Sequence, residues 1–209
     1  MPNFCEVSDV EELLQIEIVD ADAVASCERA IREASAAIRG YTCQYLSAVP
    51  DDAITLDVWE RRSLLMLPEL PILSVASVVE DGITLTGGTD YVLAGAGQLL
   101  RGSGAPSTWR TWAVGPQIVT VVYSHGYMDI PQKIVDVATR AAARAYQAGL
   151  QSAQTGGVLG VRSVGLGDFS LGFHSTQGGG VSEGALGASG ARFLLLSEKD
   201  ALDEYRHKI

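Results

Sequence analysis

The sequence predicts an α+β fold: a small helical bundle with an inserted antiparallel β module, a glycine-rich C-terminal arm and a terminal helix. Three observations carry this. Val24, Cys27, Ile31, Ala34 and Ile38 step by three and four without a break, the spacing of one buried helix face. From 51 to 123 the pattern turns into short runs of β-branched and aromatic residues separated by Gly, Pro and Asp. Residues 156–190 then hold 12 of the chain's 23 glycines, a composition that costs entropy to order. The expected regions are N-terminal bundle helices at 1–50, the β module at 51–123, a central Ala-rich bundle helix at 124–155, the Gly-rich extended arm at 156–196 and a C-terminal docking helix at 197–209.

In chain order, Ser8-Asp9-Val10-Glu11 reads as a capping box, so a short helix is expected from Asp9, with Leu13, Leu14, Ile16 and Ile18 on its apolar side. Asp20 or Asp22 starts a second helix that should end at Gly40. Glu28 with Arg32, and Arg29 with Glu33, form i,i+4 pairs on its outer side. Cys27 falls on the core stripe and reads as a core residue. Strands are expected at 55–58, 63–67, 72–79, 83–85, 91–94 and 98–100, with turns at Glu80-Asp81-Gly82 and Gly87-Gly88. Leu67-Pro68-Glu69-Leu70-Pro71 is an extended link, because residues before proline avoid the α region. Trp109 and Trp112 read as aromatic cover for the sheet.

The central stretch is 118–150. Ile118, Val119, Val121, Val122 and Tyr123 form a strand, and His125-Gly126 turns the chain. Asp129 and Pro131 open a helix that should run to Ala148 and stop at Gly149. Its inner face, Ile134, Ala138, Ala141, Ala142 and Ala145, is mostly alanine, so neighbours can approach closely. Beyond it, 161–173 reads as a strand or hairpin and 175–190 as a loop. Ser197 with Asp200 caps the last helix, in which Leu202 and Tyr205 share one side.

The 209 residues are 47% hydrophobic, enough for a real core, and contain no apolar run long enough to cross a membrane. The first residues lack the basic and apolar regions of a signal peptide. Cys5, Cys27 and Cys43 form no C-x-x-C pair, which fits reduced cysteines in a cytoplasmic setting. The net charge of −10 is uneven: residues 1–60 hold 13 acidic and 3 basic side chains, and the remainder balances. A protein that grips phosphate needs the opposite. An acidic face could meet a basic partner, line a passage through which DNA slides, or simply keep the chain soluble.

No catalytic constellation stands out. His125, His174 and His207 lie far apart, with no H-x-x-x-H spacing. Ser124 and His125 are adjacent on a strand and so point to opposite faces. The glycine pairs at 95–97 and 165–167 lack the third glycine of a dinucleotide loop. Asp51, Asp52 and Asp57 read as acids at a helix-to-strand junction. No cofactor, metal or catalytic residue is expected.

Three stretches together resemble the head–tail connector (adaptor, or head-completion) proteins of long-tailed double-stranded DNA bacteriophages: 67–79 leading into Asp81-Gly82 and Asp90-Tyr91-Val92; 119–127 with Ile130-Pro131 and the Ala/Arg-rich helix; and 163–170 followed by a closing helix with Leu202-Asp203-Glu204-Tyr205-Arg206. The resemblance implies a virion structural protein and not an enzyme. It would form a homo-oligomeric ring, a dodecamer, beneath the portal protein. The ring would extend the DNA channel without sequence-specific binding and give a downstream stopper or tail-completion protein its docking surface. The implied location is the virion neck, reached from the host cytoplasm during assembly, with no membrane contact. The implied portal contacts are Leu202, Tyr205, Arg206 and Ile209. Other readings are a stopper or tail-completion protein, a small soluble enzyme using His125 or Asp168, and a DNA-binding helical module.

Overall fold

The structure is a computed structural model that describes residues 1–154, 163–166, 169–172 and 194–206. The chain is an α+β protein of two compact units. One comprises 1–2, 38–135 and 199–209, the other 3–37 and 136–198.

The first unit carries the β module. Strands β1 (Val49–Val58), β7 (Gly115–His125), β3 (Ile72–Glu80) and β4 (Ile83–Leu85) form a four-stranded antiparallel sheet in the order β1-β7-β3-β4. Strands β2 (Leu64–Met66), β6 (Gln98–Arg101) and β5 (Tyr91–Ala94) form a second sheet in the order β2-β6-β5. The core cluster draws on both sheets: Val58, Val78, Val119, Val121 and Tyr123 from one, Leu65, Tyr91 and Leu99 from the other, with Leu67 and Trp112 from the connections. Along β7 the burial alternates, which is what places every second side chain in this core. The β3–β4 turn is Asp81-Gly82, both at positive φ, the two-residue loop that matches strand twist. Gly126 also has φ +90°, and a Cβ there would lie 2.3 Å from the Ser47 carbonyl oxygen, so only glycine fits. The Leu67–Pro71 link contains a cis Leu70–Pro71 bond.

Across the β-sheet seam a nearly buried ion pair joins β6 to β3. Arg101 Nε lies 3.0 Å from Glu80 Oε2, with 10% and 11% of the two side chains exposed. Glu80 Oε1 also accepts the Ala113 N–H at 2.7 Å, and the Arg101 guanidinium donates to the Asp90 carbonyl and sits 5.7 Å from the Trp112 ring centre. Trp112 donates its indole N–H to the Ser63 carbonyl at 3.0 Å. The expected sheet cover therefore holds for Trp112. Trp109 differs: it is 53% exposed.

The second unit holds α1 (Val7–Leu14), most of α2 (Ala21–Thr42) and α3 (Gln132–Gln154), and the two-stranded β8 (Ser163–Leu166) and β9 (Phe169–Gly172). The hairpin matches the expectation for 161–173. Cys27, Ile31 and Ala34 of α2 and Ala138, Ala141 and Ala142 of α3 are buried, as their spacing predicts, and Ala30 is buried beside them. Burial raises the Cys27 thiol pKa and pushes that of Cys5 up to about 11, so both are inert core groups.

Several boundaries move. The capping box of α1 is formed by Glu6 and Asp9, two residues before the expected Ser8–Glu11 pair, and the Glu6 N–H donates to Asp9 Oδ2 at 2.7 Å. Asp20, not Asp22, caps α2, accepting the Asp22 and Ala23 N–H groups at 3.2 Å. Helix α2 passes Gly40 and stops where Cys43 takes φ 55°. Helix α3 likewise continues through Gly149 to Gln154. A glycine ends a helix only when it takes the left-handed conformation, and the alanine and glutamines that follow it are good helix formers. The first helical carbonyl is that of Pro131, which accepts the Ile134 N–H at 2.8 Å. Strand β1 begins six residues before the expected 55. The loop expected at 175–190 lies outside the described residues.

Candidate interaction surfaces

The last described residues form α4 (Leu196–Leu202) and a 3₁₀ turn at Asp203–Tyr205; of the helix expected at 197–209, residues 207–209 lie outside the described residues. Its cap is Glu198, not Asp200: Glu198 Oε2 accepts the Leu195 N–H at 2.9 Å. The same carboxylate holds Arg144 of α3, with nitrogen–oxygen distances of 2.5 and 2.7 Å. A buried acid thus both starts the helix and neutralises an arginine, which the Ser197–Asp200 spacing did not indicate.

From Lys199 to Arg206 the segment is held in the first unit by five contacts. The Tyr41 hydroxyl donates to Asp203 Oδ1 at 2.6 Å. Lys133 Nζ donates to Glu204 Oε1 at 2.7 Å. Tyr205 meets Tyr127 edge to face, with ring centres 6.0 Å apart. Arg206 lies 5.6 Å from the Tyr41 ring centre, and Lys199 lies 5.7 Å from it. Hydrogen bonding to Lys133 holds the Glu204 carboxyl below its usual range. Burial, then the Glu204 hydrogen bond, pushes the Tyr205 phenol up to about 12. Beside the turn is a cleft of about 410 Å³, walled by Leu70, Ile72, Leu93 and Ala94 on one side and by Tyr205 and Arg206 on another. Gln44, Tyr127 and Glu204 also line it, and the lining is therefore mixed polar and apolar.

The expected contact residues are thus placed unequally. Leu202 is 0% exposed, so it anchors the segment. Tyr205 is half-buried against Tyr127, and Arg206 is exposed at the cleft. Ile209 lies outside the described residues. The residues that receive the segment, Tyr41, Tyr127 and Lys133, carried no sequence signal that marked them as partners.

The Ser124–His125 pair serves the β1–β7 seam. The Ser124 hydroxyl accepts the Asp51 N–H at 3.1 Å. His125 is 1% exposed, with Nε2 3.3 Å from Asp52 Oδ2 and its ring 5.0 Å from that of Tyr123. Among the described residues no three His, Cys, Asp or Glu side chains group as a metal site would require. Nor is any described helix long and apolar enough to cross a membrane. Asp168, His174 and His207 lie outside the described residues.

Two further surfaces are exposed. In the first unit, residues 58–63 and 109–115 run side by side. Val58 is paired with Gly115, and the Trp112 N–H donates to the Arg62 carbonyl at 2.9 Å. This strip exposes Trp59 (68%), Trp109 and Val114, together with Arg61, Arg62 and Arg110. Trp-Glu-Arg-Arg at 59–62 and Trp-Arg-Thr-Trp at 109–112 are the sequence signal for it. In the second unit, α1 and its connection to α2 expose Leu13, Ile16 and Val19 beside Glu12, Glu17, Asp20 and Asp22.

Neither a family model nor a curated protein matches the chain. A solved structure described as the neck of an empty GTA (gene transfer agent) particle computed with C6 symmetry contains a chain of similar fold. The two align over 97% of this chain and 89% of the other, with TM-score 0.53 and 17% identity. A chain from the neck of a native GTA particle computed with C12 symmetry aligns over 97% and 88%, with TM-score 0.48 and 14% identity.

Proposed function

We propose that this chain is a structural protein of the neck of a phage-like particle: one subunit of a ring that joins the capsid portal to the tail and lengthens the DNA channel. The observation that carries the reading is the fold shared, over 97% of the chain, with a chain of a GTA particle neck. The motifs at 67–92, 119–131 and 163–206 support the same assignment. In this role the protein works by shape and charge. A net charge of −10 keeps a ring from gripping the duplex that passes through it. The ring is a dodecamer, and the downstream partner is a stopper or tail-completion protein. The C-terminal segment faces the portal: Leu202 fixes it to the body, and Tyr205 and Arg206, with Ile209 beyond them, make the contact.

Capture on an immobilised portal ring from the same particle tests this. The full chain should be retained. Deleting 197–209 should abolish retention, and Tyr205→Ala with Arg206→Glu, which leaves Leu202 in place, should weaken it at least tenfold. Retention unchanged by either alteration would overturn the role given to the segment.

A further inference from the structure

The two exposed surfaces match each other in chemistry. The strip at 58–63 and 109–115 presents two tryptophans and a valine among Arg61, Arg62 and Arg110, with Glu60 its one acid and 3.7 Å from Arg62. Tryptophan and arginine are the residues that dominate protein interfaces, and an isolated protein gains nothing by leaving two tryptophans in water. The strip is also held rigid. Backbone bonds anchor it at Val58–Gly115, at Arg62–Trp112 and at Arg110, whose N–H donates to the Arg101 carbonyl at 2.9 Å. A surface fixed in advance loses little entropy on binding.

The ridge on α1 and the connection to α2 has the complementary character. Residues 6–22 hold seven acids, Glu6, Asp9, Glu11, Glu12, Glu17, Asp20 and Asp22, and no Lys or Arg. Leu13, Ile16 and Val19 stand exposed among them. Each surface therefore offers apolar area framed by charge, with opposite signs.

We propose that the Trp59/Trp109 strip docks on the Leu13/Ile16/Val19 ridge of a second copy of this chain. The charge complementarity selects this occupant. A duplex phosphate backbone would meet only the three arginines, and leave the tryptophans and Val114 unused. Because donor and acceptor surfaces differ, each copy has one free surface of each kind after the first contact, and copies can add in series until they close. The inference rests on the ring proposed above and names the contact that builds it.

The test uses two full-length variants, each altered only at exposed positions, where folding stability changes little. One is Arg61→Glu with Arg62→Glu, the other Glu12→Lys with Glu17→Lys. Native mass spectrometry across protein concentration, with circular dichroism as a check on folding, reads association. The wild type should associate, and less so in high salt. Each variant alone should associate roughly 100-fold more weakly, because like charges then face each other. An equimolar mixture of the two should recover association, with the variants alternating in equal numbers. Wild-type-like assembly of the Arg61/Arg62 variant would overturn this pairing while leaving a ring built through other surfaces intact. A wild type monomeric at every concentration would overturn the pairing and count against self-assembly altogether. Duplex DNA binding lost with Arg61 and Arg62, without association, would assign the strip to nucleic acid instead.

Discussion

Two ion pairs in the first unit have similar lengths and different work. Arg101–Glu80 is 3.0 Å long with side chains 10% and 11% exposed; Lys133–Glu204 is 2.7 Å long with side chains 48% and 54% exposed. The first lies in a seam where Glu80 also takes the Ala113 N–H and Arg101 packs near Trp112. If Glu80 goes, Arg101 keeps only its bond to the Asp90 carbonyl and the Asp90 carboxylate 3.9 Å away. The second sits at the surface, where water replaces either partner at little cost. Distance alone does not separate them; burial does. The difference divides a buried seam from a surface contact that water can replace.

The largest effect should come from breaking the seam. Glu80→Ala leaves Arg101 charged and almost buried, and should lower the stability of this unit by about 3–5 kcal/mol in urea unfolding. A loss under 1 kcal/mol would mean the seam is as well solvated as the surface pair. Leu202→Ala removes the apolar anchor of the C-terminal segment and should cost about 2–5 kcal/mol, read as lost hydrogen-exchange protection over 196–205. Tyr205→Ala removes the edge-to-face contact with Tyr127 and the hydrogen bond with Glu204; the ring contact should cost about 0.5–1.5 kcal/mol beyond its lost area.

The smallest effects are the pH dependences of the segment. Glu204 is held below the ordinary carboxyl value of 4.5, so its contribution is present above that value and lost as pH falls through its lower folded value. Tyr205 is raised from 10.0 to about 12, so its contribution is complete below pH 10 and disappears as pH rises toward 12. Hydrogen exchange over 196–205 should loosen as pH falls through the Glu204 transition while the seam stays protected; at high pH Tyr123 of the sheet core, also raised to about 12 by burial, ionises in the same range. Equal loosening of seam and segment would erase the distinction between them.

Much of the fold was legible because its periodicities are local. The β-branched and aromatic run through 118–123, the turn at Glu80-Asp81-Gly82 and the three-four stepping from Val24 to Ile38 each declare one element from adjacent residues. The start of β1 was hidden by Pro50 and by Asp51, which takes φ 47° at a bulge. Gly40 and Gly149 looked like stops because nothing in sequence distinguishes a left-handed glycine from a helical one. Trp109 and Trp112 were indistinguishable because what separates them is a long-range bond from Trp112 to Ser63. The candidate surfaces were legible only in part. Tyr205 and Arg206 could be singled out, but Tyr41 pairs with Asp203 across 162 residues, and only the folded chain brings them together.

Electron microscopy of the purified protein mixed with a portal ring from the same particle tests the neck assignment most directly. The account predicts a closed ring of copies stacked coaxially on the portal, with the 196–206 segments at the junction. Undecorated portal rings beside free monomers would contradict it.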